Sequence, residues 1–245
     1  MEENVILKKN VFVLLTALLV LGGYVVAVPE GATVGTVSNT TATAATAGNI
    51  SIYGGYIYNA SLSGQSQTEL WAAVYGNVSG NVTLRDSSGA KVYNWPVSIA
   101  QGQMYATRSN TVPAWATITT VNSSCIDPVF GYNADWTDSG FKTFTSTSTA
   151  ITVGSVSVAA AANSSVFTYN NTGAPFWETI SLTDKTPDYT NATCNLTTTN
   201  FVFAGILNNN QPAYDGSTAD YQILVPESER GSSAATLYYF YLELR

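Results

Sequence analysis

The hydrophobic pattern divides this chain in two. Residues 11–28, VFVLLTALLVLGGYVVAV, carry no charge and follow Lys8 and Lys9. A helix of about 20 apolar residues crosses a bilayer, and basic residues ahead of it stay on the inner side. The pattern therefore predicts a leader at 1–10 and an N-terminal hydrophobic helix at 11–30, with the remainder exported. Three fates stay open for the run. It is cut off at Val28, after the small residues Val25 and Ala27, as a secretory signal. It is kept as a membrane anchor. Or residues 1–10 are lost and the apolar helix packs against copies of itself in a filament core.

Everything after the run is polar, rich in Thr, Ser, Asn and Tyr. Residues 31–49, GATVGTVSNTTATAATAGN, contain no charge and no aromatic. They read as a tether, or as a donor strand completing a neighbour's sheet. From residue 50 onward the chain reads as short strands between turn residues. Candidates are 52–58, 70–75, 81–85, 91–95, 115–121, 141–145, 150–158, 165–169, 176–183, 195–207, 221–225 and 236–244. Asp86-Ser87-Ser88-Gly89 joins two of them as a hairpin turn. No later stretch holds a helical period. The predicted fold is all-β: a β-sandwich or jelly-roll-like body over 50–245, preceded by one hydrophobic helix. In the last strand Tyr238, Phe240, Leu242 and Leu244 share one face, and Leu237, Tyr239 and Tyr241 the other. Both faces are apolar, which predicts a central position or, as the second choice, contact with another subunit.

Composition narrows the chemistry. Disorder goes with high charge and few aromatics; here aromatics make up 12% of the chain and charged residues only 10%, which predicts a folded body. A net charge of −7 with 9 Lys+Arg leaves no basic stripe for nucleic acid. There is no histidine. That removes Ser-His-Asp and Cys-His catalysis and the usual catalytic zinc sites. No pattern calls for a cofactor, and the chain reads as a non-enzyme. Asp135, Asp138 and Glu178 lie near Trp136 and Trp177, as carboxylates do in sugar-processing sites, but no spacing specifies a pair. Trp71 and Trp95 sit in strand patterns and read as core. Trp136, in GYNADWTDSG, is the candidate for stacking on a glycan. Asn208, Asn209, Asn210, Asp215 and Asp220 form an oxygen-rich stretch, with Asp215 and Asp220 as weak calcium candidates; no EF-hand spacing is present.

Cys125 and Cys194 are the only cysteines and predict one disulfide in an oxidising exterior. Asn-x-Ser/Thr occurs at Asn39, Asn49, Asn59, Asn77, Asn81, Asn122, Asn163, Asn170, Asn191 and Asn195. Chance would give about five such sequons at this Ser/Thr content. With an export signal, the excess predicts covalent glycans on solvent-facing turns.

The segment 70–95, LWAAVYGNVSGNVTLRDSSGAKVYNW, resembles a segment of uncharacterised exported archaeal surface proteins. There an aromatic-Gly-Asn-Val-Ser-Gly run precedes a hairpin ending in Tyr-x-Trp. The stretches from Phe201-Val-Phe-Ala-Gly through Tyr214-Asp-Gly-Ser-Thr and Asp220-Tyr-Gln-Ile-Leu-Val-Pro to Tyr239-Phe-Tyr-Leu-Glu-Leu are similar to the end of the same group. The resemblance covers about a third of the chain and implies a surface location, not an activity. The layout, an apolar N-terminal helix on a Thr/Ser-rich β domain, is similar to archaeal pilins and filament subunits. Here Asn10 follows Lys9, where archaeal pilin leaders usually carry Gly or Ala. Together these readings predict a glycosylated extracellular filament or pilus subunit. It would associate with itself through the N-terminal helix or a donor strand, anchored in a membrane or filament core. The alternative is a membrane-anchored or secreted module that binds glycan or envelope components.

Overall fold

A strand that the hydrophobic pattern does not reveal runs through the middle of the molecule. In the computed structural model, which describes residues 28–42, 46–63, 70–97, 101–130, 143–188, 194–227 and 235–245, β5 (Gly102–Thr107) is buried from Gln103 to Thr107. It pairs antiparallel with β15 (Tyr239–Leu244) on one side and β11 (Phe201–Ile206) on the other. Beyond β15 lies β1 (Glu30–Gly31), a two-residue edge. Beyond β11 lies β10 (Pro175–Thr183), whose far edge is shared by β6 (Thr119–Thr120) and β9 (Ser165–Tyr169). These seven strands form one open sheet.

Successive side chains in a strand point to opposite faces, so each central strand feeds two cores. Met104, Ala106, Phe201 and Phe203 face one, together with Phe240, Leu242 and Leu244. Tyr105, Val202, Ala204 and Tyr241 face the other. The expected division of the last strand into two apolar faces is therefore seen. β15 itself lies one place in from the edge, since β1 flanks it for only two residues.

The first core is covered by β14 (Tyr221–Pro226), paired with β2 (Trp71–Gly76), and by α1 (Ser123–Val129). Gly205 lets β14 approach: a Cβ there would lie 2.4 Å from Ile223 Cγ2. Asn122 caps α1, its side chain accepting from the Ser124 N–H. The second core is covered by the hairpin of β7 (Ile151–Val153) and β8 (Val156–Val158), with a 3-10 turn at Trp115–Thr117. Trp115 packs between Tyr105 and Tyr241, with centroids 5.1 and 5.4 Å away. Each such buried side chain contributes about 1.5–3 kcal/mol.

One carboxylate ties the second cover down. Glu243 is 2% exposed and accepts from the Tyr105 hydroxyl, the Gly154 N–H and the Arg245 guanidinium. Arg245 in turn donates to the Thr152 carbonyl. Burial, with Glu243 adding to it, pushes the Tyr105 hydroxyl pKa well up.

Three expectations are corrected. The body is not a sandwich or jelly roll: one open seven-stranded sheet carries small two-stranded sheets and a helix on its faces. The single α-helix among the described residues is α1, seven residues long and mid-chain, whereas residues 11–27 of the expected N-terminal helix lie outside the described residues. No helix among the described residues is long and apolar enough to cross a membrane, so the transmembrane-helix reading has no support. Self-association through an N-terminal helix or donor strand is corrected with it. The strand residues at that end, Glu30–Gly31, pair with β15 of the same chain, and residues 32–42 and 46–49 form no strand.

Candidate functional site

The cysteines meet as expected. Cys125 in α1 and Cys194 form a disulfide across a separation of 69 residues. It fastens α1 to the segment leading into β11, where Phe130 lies 5.2 Å from Phe201. In the chain-entropy model a loop of that length is worth roughly 4 kcal/mol.

Nine of the ten sequon asparagines fall in the described residues; Asn191 lies outside them. Asn39, Asn49, Asn59, Asn77, Asn81, Asn163 and Asn195 are exposed, while Asn122 and Asn170 are half-buried. Asn122 caps α1, and Asn170 Oδ1 accepts from the N–H groups of Thr172 and Ala174 in a tight turn. Asn195 braces a loop, accepting from the Asp188 N–H and donating to the Thr186 carbonyl.

The tryptophans divide differently from the expectation. Trp115 and Trp177 are buried, and the Trp177 indole N–H donates to the Pro212 carbonyl. Trp71 is half-buried against Phe144. Trp136, the expected stacking residue, lies outside the described residues, as do Asp135 and Asp138. Glu178, the third carboxylate of that group, is buried and accepts from the Thr149 N–H. Trp95, read as core, is 48% exposed instead. It lies on the hairpin of β3 (Asn81–Arg85) and β4 (Lys91–Pro96), 4.5 Å from the ring of Tyr93. Val82 faces Trp95 and Leu84 faces Tyr93 across the ladder, and all four are exposed. Among the described residues no layer covers this face of the hairpin. That is why a core-like pattern here ends up in solvent.

The two aspartates of the oxygen-rich stretch are engaged by donors of the protein itself. Asp220 is buried and accepts from the Val78 and Asn210 N–H groups at 2.8 Å each. Asp215 Oδ1 accepts from the hydroxyl and N–H of Ser217, and Oδ2 from the Tyr75 hydroxyl at 3.1 Å. The Ser217 hydroxyl bond, first among these, holds the Asp215 carboxyl pKa low; the bond to Asp215 pushes the Tyr75 hydroxyl up. All four oxygens of the two weak calcium candidates thus have protein donors. Among the described residues no three metal-ligating side chains gather.

Around Asp215 the fold assembles a cluster that no stretch of sequence displays. Tyr75 on β2 meets Tyr214 edge-on at 5.2 Å, and the two are 38% and 47% exposed. Tyr214 is set by its own N–H, which donates to Gln222 Oε1 on β14. Gln222 is held by Thr168 Oγ1 and the Tyr169 carbonyl. The Asn171 amide borders Gly216 in the adjoining turn. This arrangement offers two amphipathic rings, an ionised carboxylate and an amide at one surface point. It suits a neutral, hydroxyl-rich ligand.

No protein-family model matches the chain, and neither a curated protein nor a solved structure matches it.

Proposed function

We propose that the chain is an exported structural protein of the archaeal cell surface, glycosylated on exposed turns and without catalytic activity, most specifically a subunit of an extracellular filament. The observation that carries this reading is the Cys125–Cys194 disulfide, since such bonds persist in oxidising exteriors. The exposed sequons and the absence of histidine support it. Negative-stain microscopy of the native protein tests it. Filaments are expected, and monodisperse particles under all conditions would defeat the filament reading. Glycopeptide mass spectrometry tests the glycans separately, and a mass equal to the bare polypeptide would remove that part.

A second reading, a glycan- or envelope-binding module, is favoured by the exposed Trp95–Tyr93 pair on the β3–β4 hairpin. It predicts glycan-array binding that Trp95→Ala abolishes. Binding that survives this substitution would exclude the hairpin.

A further inference from the structure

We infer that a saccharide linked to Asn77 packs against the Tyr75–Tyr214 pair, so that this one glycan is part of the fold. The inference rests on the glycoprotein reading and adds a site that holds the sugar.

Three observations converge. The first is direction. From Tyr75 to Gly80 exposure alternates, with Tyr75, Asn77 and Ser79 outward and Gly76, Val78 and Gly80 half-buried. Asn77 therefore emerges on the same face as the Tyr75 ring, about 7 Å further along the chain.

The second is rigidity. Asp220 clamps the chain on both sides of Asn77. Its N–H donates to the Gly76 carbonyl and its Oδ2 accepts from the Val78 N–H, both at 2.8 Å. Val78 packs against the first core. A sugar attached here starts from a fixed point and loses little further freedom on docking.

The third is the receiving surface. Asp215 fixes the Tyr75 hydroxyl, and Gln222 fixes the backbone of Tyr214. The ring faces suit the C–H face of a pyranose, and Asp215 and Asn171 stand beside them for its hydroxyls. Among the nine described sequons Asn77 alone has an aromatic two residues before it. The amide oxygens of Asn122, Asn170 and Asn195 already hold backbone N–H groups.

The attachment itself uses a glycosyl phosphate donor and the host's transferase. Asn77 Nδ2 bonds to the anomeric carbon, and the anomeric C–O bond to phosphate breaks. The phosphate leaves with the bonding pair, and one Nδ2 proton passes to the transferase.

The test uses the full chain from a host that fills sequons, with glycopeptide mapping and thermal melts. Ser79→Ala removes the glycan without touching Asn77, and Asn77→Gln is the second variant. With Tyr75 present, losing the glycan is expected to lower the Tm by about 2–4 °C. In a Tyr75→Ala or Tyr214→Ala background the same loss should fall below about 1 °C. An equal drop in all backgrounds overturns the inference. So does an empty Asn77 when other sequons are filled, which leaves the glycoprotein reading standing. If every sequon is empty, both fall.

Discussion

Two antiparallel segments show opposite relations between composition and burial. β5 reads GQMYAT, half polar, and is buried from Gln103 to Thr107. The β3–β4 hairpin reads NVTLR and KVYNWP, with an aromatic-aliphatic face, and every residue of β4 is exposed. Position decides the difference. β5 has a strand on each edge and a cover on each face, so Gln103 and Thr107 are buried by their neighbours. Thr107 compensates by donating to the Phe201 carbonyl at 2.8 Å. Among the described residues the hairpin forms a two-stranded sheet of its own, and no second layer covers it.

The contrast predicts very unequal responses to substitution. The largest is expected at the start of β5. Gly102 has φ 116°, and a Cβ there would sit 1.9 Å from the Glu243 carbonyl oxygen. Gly102→Ala should cost about 4 kcal/mol or more and leave no cooperative unfolding transition. A variant that melts within a few degrees of wild type would show that β5 is not the enclosed centre.

Next in size is the disulfide that fixes the cover over β11. Cys125→Ser with Cys194→Ser should lower stability by roughly 4 kcal/mol, read by denaturant unfolding. The loss should far exceed anything measured on the hairpin.

Alkaline pH probes the same enclosed side. Burial, partly offset by Arg108, raises the Tyr238 pKa from its ordinary value of about 10 to about 12. The unfolded chain then gives up its proton first. The stability held by a protonated Tyr238 is complete below about pH 10 and declines toward pH 12. Tyr238→Phe should flatten this decline in a pH series of melts; an unchanged slope would remove Tyr238 from the account.

The smallest effect is expected on the hairpin. Leu84→Thr or Trp95→Thr should change stability by about 0.5 kcal/mol or less, because each side chain is already about half exposed. A loss above about 2 kcal/mol would mean that something in solution covers this face.

The same contrast explains what was legible in the sequence. The β3–β4 hairpin shows in its Asp86 turn and its alternation, and β9, β10 and β14 show in their β-branched and aromatic runs. β5 does not, because a strand buried on both faces between apolar neighbours need not be apolar itself. α1 is too short for a period, and Pro128 lies inside it. Its cap, Asn122, carries the only local signal, and in the sequence that signal reads equally as a sequon. The disulfide was legible because two cysteines allow one pairing. The Tyr75–Asp215 contact was not, since 140 residues separate the partners. What the sequence did contain was an aromatic placed two residues before Asn77. Trp95 misled because strand pattern tells which residues share a face, not whether anything lies above it.

The disulfide has a mechanical consequence for the chain under tension. A pull on the two chain ends is carried across the Cys125–Cys194 sulfur bridge, not through the 69-residue span it closes. That span contains β7, β8, β9 and β10. Roughly 230 Å of contour length is thereby withheld from stretching while the bond is oxidised. Reduction would release it, turning a short, stiff element of the force path into a long, compliant one.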